Sequence, residues 1–210
     1  WGDAKVISIF AAQSKLQEVS TKTIKLKQVI TKRKLLVTQR TQLTNNLKNH
    51  FAQLGIKTPF KKLNTIKASK WLLNQEDICI QQIGKMIQTL NETIKVLEEE
   101  IEKILPEKAR KLTEITGINT LTAGTIYAEL KGKKMNKGQL ASYCGIAPVE
   151  CSSGMSQRNR NNYRGNRILN SAIYSITIVQ TRYDKIGSEY YHRKMQEGKS
   201  KKVARKHLSR

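Results

Sequence analysis

The sequence predicts a mainly α-helical protein: a long coiled-coil helical hairpin followed by a compact α-helical C-terminal domain with a helix-hairpin-helix-like element. Three observations predict it. Three prolines and twelve glycines in 210 residues are too few for a many-turned β fold. Residues 21–54 contain neither residue type, so nothing breaks a helix there. Residues 80–104 carry an apolar repeat whose spacings alternate between three and four.

The elements follow in order. Residues 3–12 read as a short helix with Val6, Ile7, Ile9 and Phe10 apolar. In residues 21–54, Leu26, Val29, Leu36, Leu43, Leu47, Phe51 and Leu54 fit one stripe. Arg33 and Arg40 interrupt that stripe, so the sequence marks a solvated or ligand-facing stretch there. Gly55 and Pro59 end the helix. The repeat of residues 80–104 runs through Ile80, Ile83, Ile87, Leu90, Ile94, Leu97, Ile101 and Ile104, an a/d seam for knobs-into-holes packing in a hairpin or a dimer. Pro106 closes it. Beyond Pro106 helices shorten, glycines appear and arginine replaces lysine, so residues 16–105 form a coiled-coil region and residues 106–210 a second domain.

Charge narrows the partners. Lysine and arginine number 39 against 16 acidic residues, a net charge of +23. Residues 1–74 carry net +13, residues 75–105 net −4 and residues 106–210 net +14. Two basic regions flank an acidic one, a balance that fits a polyanion such as nucleic acid. No apolar run approaches the ~18 residues of a membrane span. A membrane-surface helix is excluded as well, since the basic residues are not paired with a strongly apolar face. No secretory signal is visible. Cys79, Cys144 and Cys151 are odd in number and scattered, which fits reduced cysteines rather than a disulfide framework or a zinc site. The expected location is the cytoplasm.

Four segments could carry chemistry. Residues 112–123 read as helix, tight turn, helix, with Thr116, Gly117 and Asn119 at the turn. Such a turn presents backbone N–H groups and a helix dipole to a phosphate oxygen, although an ordinary helical corner has the same pattern. Asn119 stands at a position where a left-handed turn is accessible to it. Residues 145–156 follow a short helix, 139–144, and read as a loop with Ser152 and Ser153 adjacent. Arg158, Arg160, Arg164 and Arg167 come next. Guanidiniums bind a phosphodiester bidentately and stabilise charge developing on it, so a serine beside four arginines fits phosphoryl transfer. A solvated serine turn is the plain alternative. Residues 165–183 read as a helix with Ile168, Leu169, Ala172, Ile173, Ile176 and Val179 on its apolar face. Arg164 and Arg167 stand at its start, against the dipole, where cations serve a ligand more readily than stability. Residues 199–210 hold Lys199, Lys201, Lys202, Arg205, Lys206 and Arg210, with His207 adding charge when protonated.

Taken together, these motifs resemble a known family. Leu112, Ile115-Thr116-Gly117-Ile118 and Thr122-Ala123 are followed by Gln139 through Pro148, then Ser152-Ser153-Gly154, Arg164-Gly165-Asn166-Arg167 and Lys202-Val203-Ala204-Arg205-Lys206. This order is similar to the C-terminal domain of bacterial insertion-sequence transposases that pair a RuvC-like DEDD domain with a serine-bearing domain and are guided by a bridge RNA. The resemblance is strong over residues 106–210 and looser through the coiled coil. Asp3-Ala4-Lys5 resembles the last DEDD motif, so residues 1–15 would be a remnant of that domain, most of which would lie upstream.

The resemblance implies a DNA recombinase of the bacterial cytoplasm, associated with the nucleoid, that binds DNA and a structured guide RNA. Ser153, or Ser152, would attack a DNA phosphodiester. Asp3 would be one of four carboxylates holding Mg2+, and this chain alone would be inactive. Nucleic acid would be bound by Thr116, Gly117, Asn119, Arg158, Arg160, Arg164, Arg167, Lys202 and Arg205. The coiled coil would assemble a homo-oligomer and contact RNA. The competing reading is a non-catalytic coiled-coil nucleic-acid-binding protein, which explains everything except the serine segment.

Overall fold

The computed structural model describes residues 21–153, 156–162 and 164–210. The expected helix at 3–12, and Asp3 with it, lies outside them. Among the described residues the protein is helical apart from one β-hairpin.

Helix α1 spans Thr21–Gln53, α2 Ile66–Leu73 and α3 Ile78–Ile104. The Thr65 hydroxyl caps α2 by accepting from the Ala68 N–H, and the Asp77 carboxylate caps α3 by accepting from the Cys79 N–H. Helices α1 and α3 pack antiparallel, since Lys25 pairs with Glu100 and His50 with Asp77. The heptad seam forms within one chain. Its Ile80, Ile87, Ile94 and Ile101 are buried, while Ile83, Leu90, Leu97 and Ile104 are half-buried. Leu54 leaves the expected stripe: α1 has ended before it, and it is 52 % exposed.

The two arginines in the α1 seam reach across to α3. Arg33 donates to the Glu98 carboxylate through both Nε at 2.9 Å and Nη2 at 2.5 Å. Arg40 donates to Asn91 Oδ1 at 2.7 Å, and Asn91 in turn donates to the Asn64 carbonyl. A charge in a helical seam is retained where the facing helix supplies an acceptor at the same level.

Two apolar clusters lock the hairpin. At its closed end Leu47, Phe51, Leu63, Leu72, Ile80 and Ile87 are buried around Trp71, whose ring lies 5.6 Å from Phe51 and 6.0 Å from Phe60. At the open end Leu26, Val29, Ile30, Ile101 and Leu105 share a core with Ala109, and Leu121, Tyr127 and Ala128 pack onto it. The coiled coil therefore sits on the C-terminal region through a continuous core.

That region begins with α4 (Glu107–Arg110), a 3-10 helix at Lys111–Glu114 and α5 (Thr120–Leu130). Next come α6 (Lys137–Tyr143), β1 (Pro148–Ser153), β2 (Ser156–Asn161), α7 (Arg167–Tyr183), α8 (Lys185–Gln196) and α9 (Lys201–Leu208). Helix α7 packs on α5, and α9 folds back on both α8 and α7. No helix among the described residues is long and apolar enough to cross a membrane.

Candidate nucleic-acid interface

The serine segment is a β-hairpin rather than a loop. Strands β1 and β2 are antiparallel, with Pro148 opposite Asn161 and Ser153 opposite Ser156. Both ends of the hairpin are held to the end of α6: before β1 the Ile146 and Ala147 N–H groups donate to the Ala141 carbonyl at 2.9 and 3.1 Å, and two further bonds follow β2. Asn162 Nδ2 donates to the Ser142 carbonyl at 3.1 Å, and the Asn166 N–H donates to the Tyr143 carbonyl at 2.7 Å. With its two ends held together, the segment pairs its own backbone groups. Ser152 and Ser153 close β1, and Arg158 stands opposite Cys151.

A crossing of two glycines allows the clamp. A Cβ on Gly165 would fall 2.3 Å from the Cα and N of Gly145, and Gly145 itself takes φ +71°. No side chain fits between these backbones. Asn170 secures the crossing, its Nδ2 donating to the carbonyls of Cys144 and Gly145 at 3.0 and 3.2 Å. Helix α7 starts two residues later than its sequence pattern indicates, because Asn166 is its cap and accepts from the N–H groups of Ile168 and Leu169.

Beneath this crossing lies a polar network that the sequence did not reveal. Glu129 on α5 has a side chain only 7 % exposed, with Lys27 of α1 at 2.9 Å and Asn166 Nδ2 at 2.8 Å. Burial pushes the Glu129 carboxyl up, but the hydrogen bonds from Lys27 and Asn166 outweigh it and hold it below the usual range. Lys133 donates to the Tyr143 hydroxyl and to the Glu129 carbonyl, and its ammonium sits 4.3 Å from the centre of the Tyr143 ring. The Lys133 hydrogen bond, with a second from Asn166, holds the Tyr143 phenol below its ordinary value.

The structure gathers some of the expected binding residues and separates others. Arg160, Arg164 and Arg167 are exposed around the base of the hairpin. Arg167 borders a cleft with Asn162, Gly165, Asn170 and Tyr174. A cavity of about 350 Å3 shares Asn170 and Tyr174 with that cleft and is bordered by Lys202 and Arg205 of α9. The basic tail and Arg167 thus converge on one face of α7.

His207 adds nothing to that charge at neutral pH. Burial, with Arg210, Lys194 and Lys199 nearby, pushes its ring below the ordinary histidine range.

The turn at Thr116, Gly117 and Asn119 lies elsewhere. Gly117 has φ +92° and packs against α7, where a Cβ would meet the Ile176 carbonyl at 3.0 Å. Asn119 is extended, not left-handed, and caps α5 by accepting from the Thr122 N–H and hydroxyl. It shares a cleft with Arg33, Lys95, Glu98, Glu99 and Glu102, a setting of mixed charge.

Burial pushes the Cys144 thiol up, consistent with an inert core cysteine. Among the described residues no group of three or more His, Cys, Asp or Glu could hold a metal ion.

Sequence reasoning missed Tyr174, Asn170 and Glu129. For the first two a signal existed: Arg167, Asn170 and Tyr174 recur at helical spacing, a polar stripe beside the apolar one. Glu129 had none, because its partners are remote in sequence.

No curated protein matches the chain. A family model does match, over residues 109–192, a stretch that holds the turn, the serine hairpin, its arginines and α7. It is the Transposase IS116/IS110/IS902 family, to which residues 109–192 are similar.

Proposed function

We propose that this chain belongs to a DNA transposase that cuts and rejoins DNA through Ser153 and binds a structured guide RNA alongside its DNA. The match over residues 109–192, which contains the serine hairpin and three exposed arginines beside it, carries the reading. In the chemistry proposed, the Ser153 hydroxyl gives up its proton and its oxygen forms a bond to phosphorus while the bond to one bridging DNA oxygen breaks. The departing oxygen takes up a proton, and the reverse attack by a DNA hydroxyl rejoins the strand. Arg158, Arg160, Arg164 and Arg167 would bind the phosphodiester and offset its developing charge. Lys202 and Arg205 would extend the contact along the strand, and the coiled coil would join subunits.

Transposases generally use divalent metals. Mg2+ would be held by carboxylates outside the described residues, Asp3 among them. Such an ion would stabilise the charge on the reacting phosphate.

The test has two arms. Binding of the 210-residue chain to duplex DNA should weaken with salt at a log–log slope of about −0.9 per phosphate contacted. Replacing Arg160, Arg164 and Arg167 together by glutamine should reduce that slope by about three. A flat salt response overturns the DNA-binding reading. With the carboxylate domain supplied in the same polypeptide, a covalent protein–DNA adduct should form that Ser153→Ala abolishes and Ser152→Ala spares. An adduct mapped to Ser152, Cys151 or a tyrosine overturns the assignment of Ser153. Salt-dependent binding with no adduct favours the non-catalytic alternative.

A further inference from the structure

The cleft along α7 has features that backbone contacts to duplex DNA do not need. Its two parts share Gly145, Asn170 and Tyr174. Tyr174 is 54 % exposed, and among the described residues its ring stacks on no other ring and lies under no cation. On one side of it Arg205 has a buried Nε with no hydrogen-bond partner. A buried guanidinium donor left orphaned is costly, and a ligand oxygen would satisfy it. Lys202 is exposed at the rim of the same cavity, and Arg167 is exposed at the far end of the cleft.

We propose that this cleft holds an unpaired nucleotide of a DNA strand, its base stacked on Tyr174. Arg205 and Lys202 hold the phosphate on one side of it and Arg167 the phosphate on the other. The proposal rests on the DNA-binding reading above. A ring open on one face with cations to either side is the arrangement that takes single-stranded nucleic acid, because every base has a π-face and every linkage a charge. A duplex offers no such face, since its bases are stacked on one another. The cavity of about 350 Å3 falls within the range of small-ligand pockets. Its neighbour is lined by Asn162 and Gly165, next to the end of β2, so a strand passing the serine hairpin would reach it. Strand exchange separates base pairs, and a place to park a splayed base lowers that cost.

The test uses the 210-residue chain with a short oligothymidylate carrying one 5-iododeoxyuridine, and a blunt duplex for comparison. Irradiation should cross-link the iodinated base to Tyr174, as read by mass spectrometry. Tyr174→Ala should weaken oligothymidylate binding by about 5- to 100-fold and leave duplex binding unchanged, while Tyr174→Phe, which keeps the π-face, retains it. Salt-dependent duplex binding together with single-strand binding indifferent to Tyr174→Ala overturns this inference alone. Equal losses for both probes overturn it too, since they would mark a general binding defect. A chain that binds neither probe overturns the DNA-binding reading and this inference with it.

Discussion

Asn166 Nδ2 donates to the Glu129 carboxylate at 2.8 Å, joining two residues 37 positions apart in sequence. The same asparagine caps α7, and the same carboxylate holds Lys27 of α1. One buried acid therefore links the coiled coil, α5 and the helix that begins beside the serine hairpin. Glu129→Ala would leave Asn166 and Lys27 without their acceptor and should cost about 2–3 kcal/mol in urea denaturation. Lys27→Met should cost no more than about 1 kcal/mol, since that side chain is half exposed. A Glu129→Ala loss no larger than that of Lys27→Met would mean that the network does not hold the two regions together.

The coiled coil offers a test on its own seam. Ile94 is 4 % exposed, whereas Val96, on the same helix, is 62 % exposed. Ile94→Asp places an unpaired carboxylate between α1 and α3 and should cost about 3–5 kcal/mol. Val96→Asp should stay within about 0.5 kcal/mol. Equal thermal melting of the two variants would contradict the packed seam.

What was legible in the sequence was what repeats over short distances. The three-four spacing from Ile80 to Ile104 gave the helix and its buried face, because helical packing imposes that period. The partners of Arg33 and Arg40 were not legible, for the opposite reason. Their partners Glu98 and Asn91 lie 65 and 51 residues away, and only the antiparallel register of α1 and α3 brings them level. The serine hairpin escaped notice because Cys151, Ser152 and Ser153 show no apolar alternation. Its two ends are brought together by the carbonyls of Ala141 before β1 and of Ser142 and Tyr143 after β2. The cleft at Tyr174 is made by α9 folding back on α7, a tertiary event with no local signature.

The contact between His50 and Asp77 gives the fold a pH dependence of known sign. His50 Nε2 lies 3.2 Å from Asp77 Oδ2, joining the end of α1 to the cap of α3. The hydrogen bond from His50, with another from the Cys79 N–H, lowers the Asp77 carboxyl below its ordinary 3.8. A depressed folded value means the native state favours the ionised form. The stabilisation is therefore complete above the unfolded value and is lost as pH falls from about 4 through the folded one. Asp77→Asn keeps a good cap while removing the charge. The melting temperature of the wild type should exceed that of Asp77→Asn at pH 6, and the two should converge below pH 4. A gap that stays constant from pH 6 to pH 3 would show that the carboxylate charge contributes nothing.

The glycine crossing sets the most demanding steric test. A methyl group at Gly165 would stand 2.3 Å from both Cα and N of Gly145, and these are backbone atoms that no rotamer change can move aside. The chain would have to open between the end of α6 and the start of α7, breaking the Asn166 to Tyr143 backbone bond and the clamp on the hairpin. Gly165→Ala should therefore cost about 2–4 kcal/mol, the range of strained or overpacked positions. It should also weaken DNA binding, because Arg164 and Arg167 flank the displaced residue. Gly138→Ala is the control of opposite sign. Gly138 lies within α6 with only the Asn136 side chain within 4 Å, at 3.6 Å, so alanine there fits and should stabilise by about 0.5–1 kcal/mol. If Gly165→Ala melts as Gly138→Ala does, the two backbones do not cross in contact, and the serine hairpin is held by other means.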